Sequence, residues 1–453
     1  MSNQTKTLVL GLGESGLAMA RWLTRQGQAV RVADSRAQPP GAAELEAAVP
    51  GAELCVGPFA DALLDGVTQL AISPGLSPDL PLVQAARARG IPVLGEIELF
   101  ARALAQLPPA RLIAITGTNG KTTTTALTGA LVRACGLDAA VAGNISPSAL
   151  DELMRRIDGN CLPDVWVLEL SSFQLETCDS LRPDAATVLN VSDDHLDRHG
   201  SLQVYADIKA RIFAGNGALL LNRDDPLVAA MARAGRRICS FGLGPAEDSN
   251  YGLADGFLCQ GDTRLLAMSE LQLAGLHNVA NALAALALCE AIGLPRAALL
   301  AGLRTFRGLP HRVEWVARRA DGVDFYDDSK GTNVGATLAA LQGMGRKLVL
   351  IAGGDGKGQD FSPLTVALRT HARAVVLIGR DAARLQAETA CSGVHYEQAA
   401  DMEAAVRRAA GLAQAGDAVL LSPACASLDM FRNYAHRAEV FIAAVRALPG
   451  VAS

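Results

Sequence analysis

Aromatic side chains are scarce, 4% of 453 residues, and charged side chains make up only 19%. The formal charge is −5 and no basic tract stands out. Bulk attraction to nucleic acid is therefore not expected. No uninterrupted apolar stretch reaches the roughly 18–20 residues of a membrane helix, so no membrane insertion is expected. The N-terminus carries one lysine, Lys6, and then a short apolar run that meets Gly11 and Gly13. That is too short and too glycine-broken for a secretory leader. The nine cysteines stand singly, with no Cys-x-x-Cys pair, which fits reduced thiols. The expected location is cytoplasmic.

What is abundant is Ala, Leu and Val, within an apolar share of 50%. This composition fits an α/β protein, and at roughly 150 residues per domain the length suggests about three domains. Thr7 to Leu10, Ala29 to Ala33 and Leu70 to Ile72 read as strands, with a helix over 17–25. A helix begins at GEIELF (95–100), Pro108-Pro109 breaks the chain, and the pattern restarts at Arg111 to Ile115. Further strands are expected at 165–168, 186–190 and 218–221. A loop or hairpin region is expected over 245–275, and a long helix at about 277–292. After Gly308-Leu-Pro310 come strands at 323–326, 347–352, 374–378 and 418–421. Alternation of this kind argues for doubly covered parallel sheets. The expected domains are 1–95, 96–308 and 309–453.

GTNGKTT (117–123) follows an apolar strand and precedes a helix. Small residues there let backbone N–H groups approach phosphate oxygens, Lys121 adds charge, and the Thr122 hydroxyl can ligate Mg²⁺. The usual longer loop has a glycine where Ile115 stands, so this is a shortened phosphate loop. VWVLELSSFQLE (165–176) runs four apolar residues into Glu169, which suits a metal-holding carboxylate but equally a helix cap. His195 and His199 are four apart, but Leu196 replaces the glutamate of a zinc-protease helix. GLGESG (11–16), with Asp34 ending the next strand, fits a dinucleotide fingerprint or any pyrophosphate on a helix N-terminus. The last third adds HR (311–312), DDSKGTN (327–333), GGDGKG (353–358) and SPACASLDMF (422–431), glycine- and proline-rich loops bearing Arg312, Asp328, Lys330 and Lys357.

Taken in order, these motifs, with GLxHNxxNxLAA (275–285), resemble the Mur ligase family of amide-forming ATP enzymes across essentially the whole chain. GLPHR, DSKGTN and SPACASLD together resemble the member that adds D-glutamate, and the Asp-Asn-Pro-Arg motif of the diaminopimelate-adding member is absent. The resemblance implies a Rossmann-like UDP-binding domain, a central phosphate-loop ATPase-type α/β domain and a Rossmann-like C-terminal domain. It implies that Gly13, Glu14, Ser15, Ser35, Ser73 and Asn144 line the nucleotide-sugar site. ATP falls to Gly117, Thr118, Asn119, Gly120, Lys121, Thr122, Thr123, Asn278, Asn281, Arg312 and Asp328. Two Mg²⁺ sites fall to Thr122, Glu169, His195 and Lys209, the last matching the lysine that is carbamylated in the family. Thr332, Lys357, Ser427 and Tyr434 match D-glutamate positions, and Lys330 joins Lys121, His195, Lys209 and Arg312 as catalytic. Tyr434 stands where close relatives commonly have Phe, and Ser146 where they often have Gly.

The implied reaction is ATP-dependent joining of D-glutamate to UDP-N-acetylmuramoyl-L-alanine (UDP-MurNAc-L-Ala) in peptidoglycan precursor synthesis. An acyl phosphate would be the intermediate, because oxide is too poor a leaving group for an amine to displace from a carboxylate. Other readings of the residues are a nicotinamide oxidoreductase, carried by GLGESG and Asp34, a nucleotide-sensing protein, and a sister amide ligase. From sequence alone Lys209 reads as a surface helix lysine.

Overall fold

The computed structural model describes residues 6–452. The chain forms two compact units. The first holds residues 6–253, 259–263 and 283–302, and the second holds 254–258, 264–282 and 303–452.

The first unit begins with a five-stranded parallel sheet. Its order is Glu53–Val56, Ala29–Asp34, Lys6–Leu10, Gln69–Ile72, Val93–Gly95. Residues 8–10 are wholly buried, as expected of a central parallel strand covered on both faces. A second parallel array runs Ala139–Gly143, Val165–Glu169, Arg111–Thr116, Ala185–Val188, Ala218–Asn222, Ile238–Phe241. The expected strand at 186–190 stops at Val188, because Leu189 and Asn190 leave the ladder to brace the phosphate loop.

One core joins these two sheets. Helices Glu14–Arg25, Glu96–Leu104 and Ala149–Asp158 contribute to the same buried cluster. Phe100 meets Trp166 edge-on, with ring centroids 5.0 Å apart, a geometry worth about 0.5–1.5 kcal/mol beyond area burial. Arg25 pairs with Asp158 at 2.6 Å. The buried Glu98 accepts the N–H groups of Asp179 and Ser180, both at 2.8 Å. The residue-95 boundary read from the sequence therefore lies inside this unit.

The second unit is a seven-stranded sheet. Five strands are parallel, in the order His395–Gln398, Ala372–Ile378, Leu348–Gly353, Ala418–Leu421, Asp324–Asp327. Glu314–Arg319 and then Val451–Ala452 add antiparallel at one edge. Its apolar strands place their C-terminal ends at the loops 327–333, 353–358 and 422–431, where open α/β sheets bind ligands. The region 245–275 contains three short strands, Tyr251–Ala254, Phe257–Gln260 and Thr263–Ala267. The long helix spans Leu276–Ala291.

Gly143 ends its strand at φ +117°, and a Cβ there would sit 2.2 Å from the Glu169 carbonyl oxygen. Gly143→Ala is expected to cost about 2–4 kcal/mol through backbone strain and collision. Thermal unfolding should show this as a lowered Tm.

Candidate functional site

The phosphate loop is held from behind. Gly117 has φ +155° and its missing Cβ would lie 2.9 Å from Cβ of Leu189, so only glycine lets the loop pass this close. Asn190 clamps the next residues. Its backbone oxygen accepts the Thr118 N–H at 2.9 Å, its Oδ1 accepts the Asn119 N–H at 2.8 Å, and its Nδ2 donates to the Asn119 carbonyl at 3.1 Å. Gly120, at φ 81°, turns the chain into helix Lys121–Ala134. The Lys121 ammonium donates to the carbonyls of Gly117 and Thr118, each at 2.8 Å. Thr122 and Thr123 open the same helix, whose N-terminal dipole favours an anion.

Glu169 ends the adjoining strand Val165–Glu169 and is 2% exposed. Its Oε1 accepts from the Asn144 Nδ2 at 2.9 Å, whereas Oε2 is buried with no hydrogen-bond partner. The capping role that ELSS could play belongs to Ser171, which makes a capping box with Gln174. Glu169 is therefore not the cap, and a buried carboxylate oxygen without a donor suits a cation. Asn144, expected beside the nucleotide sugar, has its amide on this carboxylate.

Lys209 is not a surface lysine. It is 1% exposed, in helix Leu202–Ala210, and donates to the Gly117 carbonyl at 2.9 Å and more weakly to Thr116 Oγ1 at 3.4 Å. Its ammonium lies 4.3 Å from the Tyr205 ring centroid. Burial, reinforced by the nearby Lys121 charge, holds its pKa well below the ordinary lysine value. Nothing in 204–213 signals this burial, which comes from contact with Thr116 and Gly117 far back in the chain.

His195 sits at φ 55° ahead of helix Leu196–His199, its ring 4.8 Å from that of Phe173 and its Nε2 3.6 Å from Asp194 Oδ2. His199 takes a different part: it is buried, with Nε2 3.0 Å from Ser172 Oγ and its ring stacked on Tyr205. Both rings pack against Phe173.

A cleft of about 370 Å³ in the N-terminal sheet gathers Gly13, Glu14, Ser15, Ser35 and Ser73. Asp34 at its edge is fully engaged. Oδ2 accepts the Leu12 N–H at 2.7 Å, and Arg36 grips both oxygens, holding the carboxyl far below the usual carboxylate range. An acidic residue serving a nicotinamide ribose needs a vacant acceptor, and Asp34 has none. Ser146 donates to Glu14 Oε1 at 3.0 Å, a use for the hydroxyl that glycine lacks.

In the second unit, Asp328 is buried and pushed up to about 7 by desolvation, with Ser422 Oγ donating to Oδ2 at 2.7 Å. Lys330 Nζ lies 3.9 Å from the Tyr434 ring centroid, a contact that Phe would also offer. Arg437, invisible as a motif, is wholly buried. It donates to Ser329 Oγ at 2.9 Å, the Ser329 carbonyl at 2.7 Å and the Cys425 carbonyl at 3.1 Å, tying loop 327–333 to loop 422–431. His311, adjoining Arg312, sits at φ 64° with Nδ1 2.7 Å from Asp327 Oδ2. Val313 (φ 52°) and Lys357 (φ 49°) share this left-handed strain, and Lys357 is exposed. Thr332 is half-buried near Lys330, and Ser427 is buried in the last loop. Asn278 and Asn281 are buried side by side, the Asn281 amide donating to Asn278 Oδ1 at 3.1 Å.

Comparison with known proteins places the chain in a family. Family models match residues 5–95 (Mur ligase MurD-like, N-terminal domain), 115–289 (Mur ligase middle domain) and 311–425 (Mur ligase, glutamate ligase domain). A UDP-N-acetylmuramoylalanine–D-glutamate ligase of Aromatoleum aromaticum is 61% identical, with 98% of this chain and 97% of that protein covered. One of Dechloromonas aromatica is 58% identical, with 98% of each covered. Among solved structures, a pseudomurein peptide ligase type C from Methanothermus fervidus has a TM-score of 0.60 at 19% identity, covering 97% of this chain and 99% of that one. The UDP-N-acetylmuramate-alanine ligase MurC of Thermotoga maritima scores 0.59 at 18% identity, covering 98% and 100%. These structures share the fold, and the end-to-end relatives show that the chain belongs to the Mur ligase family.

Proposed function

We infer that the chain is an ATP-dependent ligase that joins D-glutamate to UDP-MurNAc-L-Ala in peptidoglycan precursor synthesis. The observation that carries the chemistry is the pairing of a braced phosphate loop with a buried, half-vacant carboxylate at the next strand end. The segments 1–95, 96–308 and 309–453 divide the work among UDP sugar, ATP and amino acid. The setting is the cytoplasm.

The first step brings the alanyl carboxylate to the γ-phosphorus of ATP. The carboxylate oxygen bonds to phosphorus, the bond to the β-phosphate bridging oxygen breaks, and ADP leaves. Two anions must meet, so charge placed beforehand matters most. Lys121 leaves its own loop carbonyls to reach phosphate oxygens, and the helix N-terminus adds backbone N–H donors. Arg312, Asp328, Asn278 and Asn281 are the further residues given to the nucleotide, the two asparagines to its adenosine.

Mg²⁺ fits Glu169, whose Oε2 is buried with no hydrogen-bond partner. Thr122 and His195 are the further candidates to hold it. When bound, it supplies positive charge that offsets the phosphate and carboxylate anions. Lys209 fits carbamylation. Its depressed pKa favours the neutral amine that attacks CO₂, and loss of one proton leaves a carbamate anion able to bind a cation.

The second step is attack of the D-glutamate amine on the acyl carbon, with phosphate leaving as the tetrahedral intermediate collapses. Lys330, Thr332, Lys357, Ser427 and Tyr434 position the amino acid. Holding the amine at the carbon is the main contribution, since effective molarity can be very large.

Phosphate release with UDP-MurNAc-L-Ala should depend on D-glutamate and not on L-glutamate, L-alanine or meso-diaminopimelate. Oxygen-18 placed in the alanyl carboxylate should appear in the released phosphate, and its absence would refute the acyl phosphate. Lys121→Ala should leave Tm nearly unchanged while lowering turnover by at least about 10³-fold, the scale of losing a transition-state cation. Lys209→Ala should cripple turnover, and short carboxylates should restore part of it.

A further inference from the structure

The Glu169 carboxyl has two unlike oxygens. Oε1 accepts the Asn144 amide at 2.9 Å, and Oε2 is buried with no hydrogen-bond partner. The last torsion of a glutamate side chain is broad and roughly two-fold, so the side chain alone does not fix how its carboxylate plane is turned. A donor on one oxygen does.

Asn144 is itself held in place. It follows strand Ala139–Gly143, whose last residue stands opposite Glu169 in the parallel ladder. Its own N–H donates to the Glu169 carbonyl at 2.8 Å. Backbone and side chain of one asparagine thus grip backbone and side chain of one glutamate. Past Asn144 the loop turns back, with the Gly143 N–H on the Pro147 carbonyl at 3.2 Å, and Ser146 anchors it to Glu14 Oε1 at 3.0 Å. Asn144 is exposed, so it does not serve the core. The N-terminal cleft is lined by Gly13, Glu14, Ser15, Ser35 and Ser73, and Asn144 is not among its lining residues. The contact that the structure does give its side chain is the one to Glu169.

We propose that Asn144 is a positioning residue for the metal-holding carboxylate: its amide occupies Glu169 Oε1 and so presents Oε2 to a divalent cation. The proposal rests on the reading of Glu169 as a Mg²⁺ ligand. A buried carboxylate with no donor is costly, and a donor on the far oxygen lowers that cost while leaving the near oxygen to the metal. The same bond sets the direction in which the near oxygen points. Partners of this kind are worth about 10–100-fold in metal affinity. An amide suits the task because it has N–H groups to give and no charge, whereas an ionised aspartate at 144 would offer acceptors only.

Mn²⁺, a paramagnetic stand-in for Mg²⁺, tests this. Free Mn²⁺ is counted by electron paramagnetic resonance as the full chain is titrated beside a non-hydrolysable ATP analogue. Asn144→Leu keeps the side-chain size and removes the donor. It should weaken Mn²⁺ binding by about 10-fold or more, and Glu169→Gln should weaken it at least as much. The double variant should bind no more weakly than Glu169→Gln alone, because the asparagine works through the glutamate. Calorimetry without ATP or metal should find the affinity of Asn144→Leu for UDP-MurNAc-L-Ala unchanged. Wild-type Mn²⁺ affinity in Asn144→Leu overturns the proposal, and so does a further loss in the double variant. A fall in nucleotide-sugar affinity equal to that for Mn²⁺ overturns it too, since it marks a collapsed loop. If Asn144→Leu does not fold, Asn144→Ala is judged by the same outcomes. Wild-type Mn²⁺ affinity in Glu169→Gln overturns the reading of Glu169, and the proposal with it.

Discussion

A carboxylate oxygen buried without a donor is costly, and a buried lysine amine is costly for the opposite reason. The first unit keeps one of each around the phosphate loop. Glu169 points an unpartnered Oε2 from a strand end, and Lys209 is buried against the Gly117 carbonyl. Glu169 ends the strand beside the one that runs into the loop, and Lys209 donates to the loop's first carbonyl. The close passage of Gly117 over Leu189, the Asn190 clamp and the Ser171 capping box keep these groups in register.

The second unit solves a different problem. Its ligand loops are irregular and carry left-handed residues at His311, Val313 and Lys357. Such backbone persists only where its surroundings over-determine it. Arg437 does much of this, because one guanidinium satisfies carbonyls from two loops at once. The His311–Asp327 contact fixes the turn beside Arg312.

Much of the fold was legible because buried parallel strands are unbroken apolar runs, as at 112–115 and 348–352. Ala139–Gly143 was not, since alanines and glycine carry no strand signature away from their neighbours. Edge strands such as Glu53–Val56 were hidden by their exposure. Site residues that belong to a contiguous glycine-rich motif could be read directly. Asn190 and Arg437 could not, because each works through hydrogen bonds to residues far along the chain. Asn190 did stand at the head of a noted segment, right after a strand, which was the available signal. That Ser171 and not Glu169 caps the following helix needed the backbone geometry to show it.

The shared core of the first two sheets has a mechanical corollary. Glu14–Arg25, Glu96–Leu104 and Ala149–Asp158 interlock, so the cleft at Ser15 and the loop at Lys121 belong to one compact unit, and a void opened in that common packing would be felt at both.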